Sequence, residues 1–170
     1  MALKATTRDQ IVATAINELS SNPACSLEAI ILASEVPRAT FFRYFKDRED
    51  LELFVESICF ECLSQGLKPA KNFEETLRIL LDHAPLARYV FLRRELNASS
   101  DRDPVTAKLE EVMTPLWETG AIDVSIPMSW IDEVIGSLIF AGWNLARSGK
   151  LSHDELVKLT SRTLLRGLGR

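Results

Sequence analysis

The sequence predicts an all-α protein of about nine helices. Apolar residues recur at the three- and four-residue spacing of a helix along almost the whole chain. No convincing run of alternating apolar and polar residues marks a β-strand. Proline and glycine stand at the breaks between the periodic segments, where they end helices. These observations favour helical packing over any fold that contains a sheet.

Three short helices are predicted in the N-terminal part. An apolar stripe runs through residues 11–19, and Thr6 or Thr7 is available as its N-cap. Ser26 can cap a second, shorter helix. The turn "ASEVP" follows, and its Pro37 suits the first turn of a third helix, where a missing N–H costs nothing.

Six further helices are predicted after the third. Asp47 is the expected N-cap of a long fourth helix that ends near Gln65. The remaining predicted helices span residues 73–83, 85–97, 104–118, 127–148 and 153–167. We therefore expect two domains, a three-helix domain at residues 1–47 and a larger helical bundle at residues 48–170.

Positive charge is concentrated in one segment of a chain whose formal net charge is −4. Residues 36–51, "VPRATFFRYFKDREDL", combine four cations with four aromatic rings. An acidic protein does not bind nucleic acid through its mean charge, so any such contact requires a local patch. A charge run of this kind is also typical of a solvated helix face.

The spacing of this segment indicates a helix-turn-helix, in which the second helix enters the major groove of DNA. Arginine can make two hydrogen bonds to guanine, and threonine can contact a base or a phosphate. Lys46 and Arg48 flank a helix N-terminus, which attracts phosphate. Phe41 and Phe45 are expected in the core. The candidate DNA contacts are Arg38, Thr40, Arg43, Tyr44, Lys46 and Arg48.

The stretch "FFRYFKDREDL" resembles the DNA-binding domain of the TetR (tetracycline-repressor) family. In that family the pattern F-x-x-K-x-x-L opens the fourth helix, and here Phe45, Arg48 and Leu51 take its positions. The resemblance extends from about Arg8 to Val55. It implies a homodimer that binds operator DNA, with a C-terminal bundle that binds a small-molecule effector.

Three residues depart from the family pattern. Glu35 stands where the turn usually carries glycine, so we expect a turn of another type, because a left-handed backbone is costly for glutamate. Pro37 replaces a small hydroxyl residue at the start of the recognition helix. Phe42 replaces a tyrosine that binds phosphate, although Tyr44 can supply another hydroxyl.

The two C-terminal helices favour dimerisation. The helix at 127–148 carries apolar stripes on two sides, and such a helix must be covered on two sides. Together with the helix at 153–167, it can form a four-helix interface between two copies. The alternative is that both helices are interior to a monomer.

Aromatic and sulfur side chains in the bundle are the candidate effector contacts: Phe91, Met113, Trp117, Trp130 and Trp143. This assignment follows from the family resemblance, and each residue also fits an ordinary core. Arg88, Arg93 and Arg94 can fix an anionic ligand or form a solvated basic face. The sequence does not identify the effector.

Other kinds of site find little support in the sequence. Cys59 and Cys62 form a C-x-x-C pair on an apolar stripe, which favours buried structural thiols over a redox or metal site. No glycine-rich phosphate loop or nucleophile motif occurs. We therefore expect no enzyme activity, no cofactor and no metal.

A cytoplasmic location is expected. The start of the chain does not resemble a secretory signal, and the longest uncharged apolar stretch, residues 134–146, is too short to span a bilayer. Three cysteines without such a signal fit a reducing compartment.

The first expectation is a TetR-type transcriptional regulator, a repressor released from DNA by its effector. A helical protein-interaction module derived from the family, with weak or no DNA binding, is the alternative. A small all-α enzyme is the third possibility.

Overall fold

The computed structural model describes residues 6–96, 104–123 and 125–167. Regular structure in these ranges is entirely α-helical, which confirms the predicted fold class. The helices are α1 (Thr7–Ser21), α2 (Leu27–Ala33), α3 (Arg38–Tyr44), α4 (Arg48–Leu67), α5 (Phe73–Asp82), α6 (Ala84–Leu96), α7 (Pro104–Glu118), α8 (Met128–Arg147) and α9 (His153–Gly167).

The helix starts are fixed by side chains that accept hydrogen bonds from the first-turn amides. Thr6 accepts from the amide of Asp9 at 3.2 Å, and the Asp9 carboxylate accepts from the Thr6 amide at 2.9 Å. Ser26 and Asp47 cap α2 and α4 in the same way. These three caps agree with the sequence prediction.

Several helix boundaries differ from the prediction by one or two residues. Pro37 is the N-cap of α3, one residue before the helix begins. The fourth helix continues through Gly66 to Leu67, beyond the predicted end near Gln65. The side chains of Ile79 and His83 lie 3.7 and 4.0 Å from the position that a Cβ of Gly66 would occupy, so α5 packs closely against α4 there. The predicted last residue of the sixth helix, Asn97, lies outside the described residues.

The long helix α4 joins the N-terminal helices to the bundle. It packs against α1 and against α5, α6 and α7. Helix α6 also packs against α1, so two elements of the bundle contact the N-terminal unit. At the other end, α5, α8 and α9 pack together.

One of the two apolar stripes of α8 is buried within this chain and the other is not. Ile131, Ile135 and Ile139 are buried in the core. On the other stripe Trp130 is 60% exposed, and Val134 and Leu138 are only partly buried. The chain by itself therefore covers α8 on one side.

Candidate nucleic-acid interface

The turn between α2 and α3 is built around a left-handed residue. Glu35 has a φ of +55°, the conformation that glycine adopts most easily. The expectation of another turn type was wrong, because glutamate occupies the glycine conformation itself. The Ser34 hydroxyl donates to the carbonyl of Ile31 at 2.7 Å, and Gln10 of α1 donates to the carbonyl of Ser34 at 2.8 Å. These bonds hold the turn in place.

Helix α3, the predicted recognition helix, is anchored by aromatic side chains on its inner face. Phe41 and Phe45 are buried, as predicted, and their ring centroids lie 5.9 Å apart. The Phe45 ring also lies 5.7 Å from that of Phe54 on α4. Val36 is buried just before the helix. This packing fixes the outer face of α3 relative to α4.

The outer face of α3 carries most of the predicted DNA contacts. Arg38, Arg43 and Tyr44 are exposed, and Thr40 is half-buried. Lys46 is exposed between α3 and α4. The structure therefore brings five of the six candidates to one surface segment.

Arg38 is partly oriented by its neighbours. Its guanidinium lies 3.5 Å from the carboxylate of Glu28 on α2 and 5.1 Å from the ring centroid of Phe42. Both charged groups are well exposed, so the ion pair adds little stability. Arg38 is the first residue of α3, so its guanidinium lies at the start of that helix.

Arg48, the sixth candidate, points into the protein. Its Nε donates to Glu52 at 2.6 Å, and one terminal nitrogen donates to the carbonyl of Pro23 at 2.8 Å. The other terminal nitrogen donates to the carbonyl of Cys25. Arg48 thus ties α4 to the loop between α1 and α2 and has its donors engaged within the chain.

The first turn of α4 carries several carboxylates, although Lys46 and Arg48 flank it. Asp47 caps the helix, and Asp50 accepts from the backbone amide of Lys46 at 3.1 Å. Glu49 adds a further carboxylate to the same turn. These charges oppose phosphate binding at this helix N-terminus, which leaves Lys46 as its exposed cation.

Glu52 connects the N-terminal unit to the bundle. Its carboxylate accepts from Arg48 at 2.6 Å and from Arg93 of α6 at 3.0 Å. Arg93 also lies 3.4 Å from the carboxylate of Glu56. The hydroxyl of Tyr89 donates to the carbonyl of Glu52 at 3.2 Å, and burial raises the pKa of Tyr89. A half-buried polar network therefore joins α4 and α6 close to the loop between α1 and α2.

A cavity of about 160 Å³ lies beside this network. Its walls come from the end of α1, from α4 and from α6, and they are formed by Leu19, Pro23, Arg48, Glu52, Tyr89, Leu92 and Arg93. This cavity was not predicted from the sequence. One sequence feature could have indicated it. Glu52 follows Arg48 by four residues, a spacing that suits an ion pair on a helix surface.

The candidate effector residues differ in their burial and in their contacts. Phe91 and Met113 are buried, on α6 and α7. Trp117 donates to the carbonyl of Asp123 at 3.3 Å, and the guanidinium carbons of Arg88 and Arg147 lie 4.6 and 5.2 Å from the ring centroid of Trp143. Trp130 is on the exposed face of α8. Neither the cavity described above nor the two grooves that follow are lined by any of these five residues.

Two open grooves lie on the surface. One, of about 410 Å³, runs between the start of α5, the middle of α7 and Leu165 of α9. The other, of about 420 Å³, lies along α2 and the turn and includes Leu32, Glu35 and Arg38. Leu32 is 81% exposed.

The cysteines behave as separate thiols. Cys59 is buried, as predicted, and burial raises its pKa to about 12. Cys62, one turn later, is exposed, so the expectation of a buried thiol was wrong for this residue. Burial also raises the pKa of Cys25. Among the described residues there is no group of three or more histidine, cysteine or acidic side chains that could hold a metal ion. Within the same ranges no helix is both long and apolar enough to cross a membrane.

Comparison with solved structures identifies the fold. The TetR-like transcriptional regulator LfrR from Mycobacterium smegmatis, in complex with proflavine, matches with a TM-score of 0.67 and 22% identity over 94% of both chains. Another structure of LfrR matches with a TM-score of 0.61 and 19% identity, over 92% of this chain and 95% of that one. A TetR family transcription regulator from Marinobacter aquaeolei VT8 matches with a TM-score of 0.59 and 18% identity, over 96% and 95%.

The sequence itself gives no further match. No family model matches the chain. No curated protein matches it either. The structural similarity extends over nearly the whole chain, well beyond the segment from Arg8 to Val55 that carries the sequence resemblance. This chain therefore has the fold of the TetR-like transcriptional regulators.

Proposed function

We propose that this protein is a TetR-type transcriptional regulator, a repressor that binds operator DNA as a homodimer and is released by a small-molecule effector. The outer face of α3 is the observation that carries the proposal. Arg38, Arg43 and Tyr44 are exposed there, on a helix whose inner face is fixed by buried Phe41 and Phe45. A rigid helix with accessible cations after a tight turn suits insertion into the major groove.

The exposed stripe of α8 supports the homodimer. Trp130 lies on this stripe, and Leu159 on α9 is 40% exposed. Large apolar side chains exposed on neighbouring helices are typical of an interface. A second copy would cover them and place two recognition helices at half-sites about 34–36 Å apart.

The Glu52 network supports release by an effector. A ligand in the bundle can act on DNA binding only if it favours one arrangement of the DNA-binding units over another. Helix α6 contacts both α1 and α4, and Arg93 is bonded to Glu52 beside Arg48. A shift of α6 would therefore move the loop that Arg48 holds. The proflavine complex of LfrR, a protein of the same fold, supports a small-molecule effector.

The dependence of DNA binding on salt tests DNA binding itself. Affinity for random-sequence duplexes is measured by fluorescence anisotropy at several salt concentrations. We expect a steep loss of affinity with salt, and a shallower slope for Arg43→Ala because one phosphate or base contact is lost. Arg78→Ala, which removes an exposed arginine far from α3, is the matched control. Equal slopes for all three proteins would contradict the assignment of α3.

A second candidate is a helical protein-interaction module with weak or no DNA binding. The groove along α2 favours it, because exposed Leu32 lies there beside Glu28 and Glu35. These carboxylates lie next to Arg38 and would repel DNA phosphates. This candidate predicts that Leu32→Ser leaves affinity for DNA unchanged and abolishes capture of a protein partner.

A further inference from the structure

Arg88 on α6 sits against aromatic rings of α8. Its guanidinium carbon lies 4.8 Å from the ring centroid of Phe140 and 4.6 Å from that of Trp143. The guanidinium of Arg147 lies 5.2 Å from the same Trp143 ring. Two cations therefore share one indole, and each gains a modest cation–π attraction.

No carboxylate among the described residues forms an ion pair with either arginine. The Nε of Arg88 is buried and has no hydrogen-bond acceptor. Burial lowers the pKa of Arg88, and the positive charge of Arg147 lowers it further. A half-buried cation beside another cation is unfavourable without a counter-charge, so this position is one that an anion would stabilise.

The side chains around the two arginines are apolar. Further apolar contacts follow along the interface between α6 and α8. The Phe140 ring lies 6.3 Å from the ring of Phe91. Gly136 lets the helices approach, because a Cβ there would lie 3.4 Å from the Phe91 ring. The two arginines therefore lie next to a row of aromatic rings at the α6–α8 interface. This arrangement suits an anion that carries an apolar group.

We propose that Arg88 and Arg147 bind the carboxylate of a small organic acid whose apolar body lies against Phe140 and Trp143. The guanidinium fork matches a carboxylate, and flanking rings favour an organic acid over an inorganic ion. As the effector class of the regulator, this assignment rests on the proposed function. The binding site itself does not depend on whether the protein binds DNA.

Calorimetric titration of the full chain with 1-naphthoate tests the site, with neutral 1-naphthylmethanol as the matched compound. We expect naphthoate to bind and the alcohol to bind more weakly. Arg88→Met and Arg147→Met should weaken naphthoate binding by about 10- to 100-fold, the loss of a charged hydrogen bond. Arg78→Met should bind naphthoate like the wild type.

Three results would overturn the proposal. They are no binding of naphthoate by the wild type, equal binding of the acid and the alcohol, and unchanged binding in both arginine variants. Inorganic phosphate that binds as tightly as naphthoate would overturn the organic-acid class. Arg147 is exposed, so Arg147→Met keeps the test valid if Arg88→Met fails to fold.

A further titration separates the site from its regulatory role. Naphthoate is added to the complex of the protein with DNA. Release that is lost in Arg147→Met supports the effector role. If naphthoate binds but DNA is not released, the binding site is supported and the effector role is overturned. Failure to bind any DNA would count against the proposed function and not against the anion site.

Discussion

Glu35 holds the left-handed conformation of the helix-turn-helix turn, with a φ of +55°. A non-glycine residue loses roughly 1–2 kcal/mol in this conformation, because its Cβ approaches the following carbonyl oxygen. The exposed carboxylate of Glu35 lies in the groove beside Arg38. The chain therefore gives up stability at a position that faces its candidate DNA contact.

Glu35→Gly should raise the free energy of unfolding by about 0.5–1 kcal/mol, since relief of the strain exceeds the entropic cost of glycine. Urea denaturation measures the change. Glu28→Gly, in the first turn of α2, is the control and should lower the free energy of unfolding, by up to about 1 kcal/mol. Destabilisation by Glu35→Gly would show that the left-handed residue is not strained.

Cys62 should react with a thiol reagent such as DTNB, whereas Cys59 and Cys25 should not react in the folded protein. Cys62 is exposed, and burial raises the pKa of Cys59 to about 12, so Cys59 has almost no thiolate at neutral pH. Cys62→Ser should remove the fast phase. Rapid labelling that persists in Cys62→Ser would contradict this account and reopen a redox role for the pair.

At the scale of elements, the contact of α4 with α6 carries the polar network around Glu52. Glu52→Gln should lower the free energy of unfolding by about 1–3 kcal/mol, because Arg48 and Arg93 lose a shared counter-charge in a half-buried place. Glu49→Gln, one turn earlier and exposed, should cost less than about 1 kcal/mol. Urea denaturation compares the two variants, and equal costs would show that the network adds nothing.

Helix positions could be predicted from the sequence because caps and apolar spacing are local signals. Ser26 and Asp47 cap their helices as expected, and Phe41 and Phe45 are buried as their spacing indicates. The direction of Arg48 could not be predicted, because the carbonyl groups that it binds lie on a loop more than twenty residues away. Contacts between distant segments depend on tertiary packing. The spacing of apolar residues along the sequence does not reveal this packing.

The candidate effector residues show the same limit. Trp130 and Trp143 lie on one helix, but Trp130 is exposed on the outer stripe, whereas the ring of Trp143 contacts Arg88 and Arg147. The sequence named Arg88 as either an anion contact or part of a solvated face. Its half-buried position among aromatic rings favours the first alternative.

For the whole molecule, the exposed stripe of α8 predicts a homodimer. Trp130→Glu should weaken the dimer by at least about 30-fold, as expected for a central tryptophan in an interface. Leu53→Glu is the matched control, because Leu53 on α4 is 59% exposed against 60% for Trp130. Sedimentation velocity measures the populations. A dimer that survives Trp130→Glu and dissociates in Leu53→Glu would place the interface elsewhere.

Selection from a random DNA library, followed by sequencing of the retained duplexes, tests the central claim most directly. Two recognition helices in a symmetric dimer predict an enriched palindrome, with half-sites about one helical turn apart or slightly more. Arg38→Ala and Arg43→Ala should each lose about 1–3 kcal/mol of affinity for that sequence if they contact bases. Retention that disappears with salt and leaves no enriched sequence would contradict the account and favour the protein-interaction module.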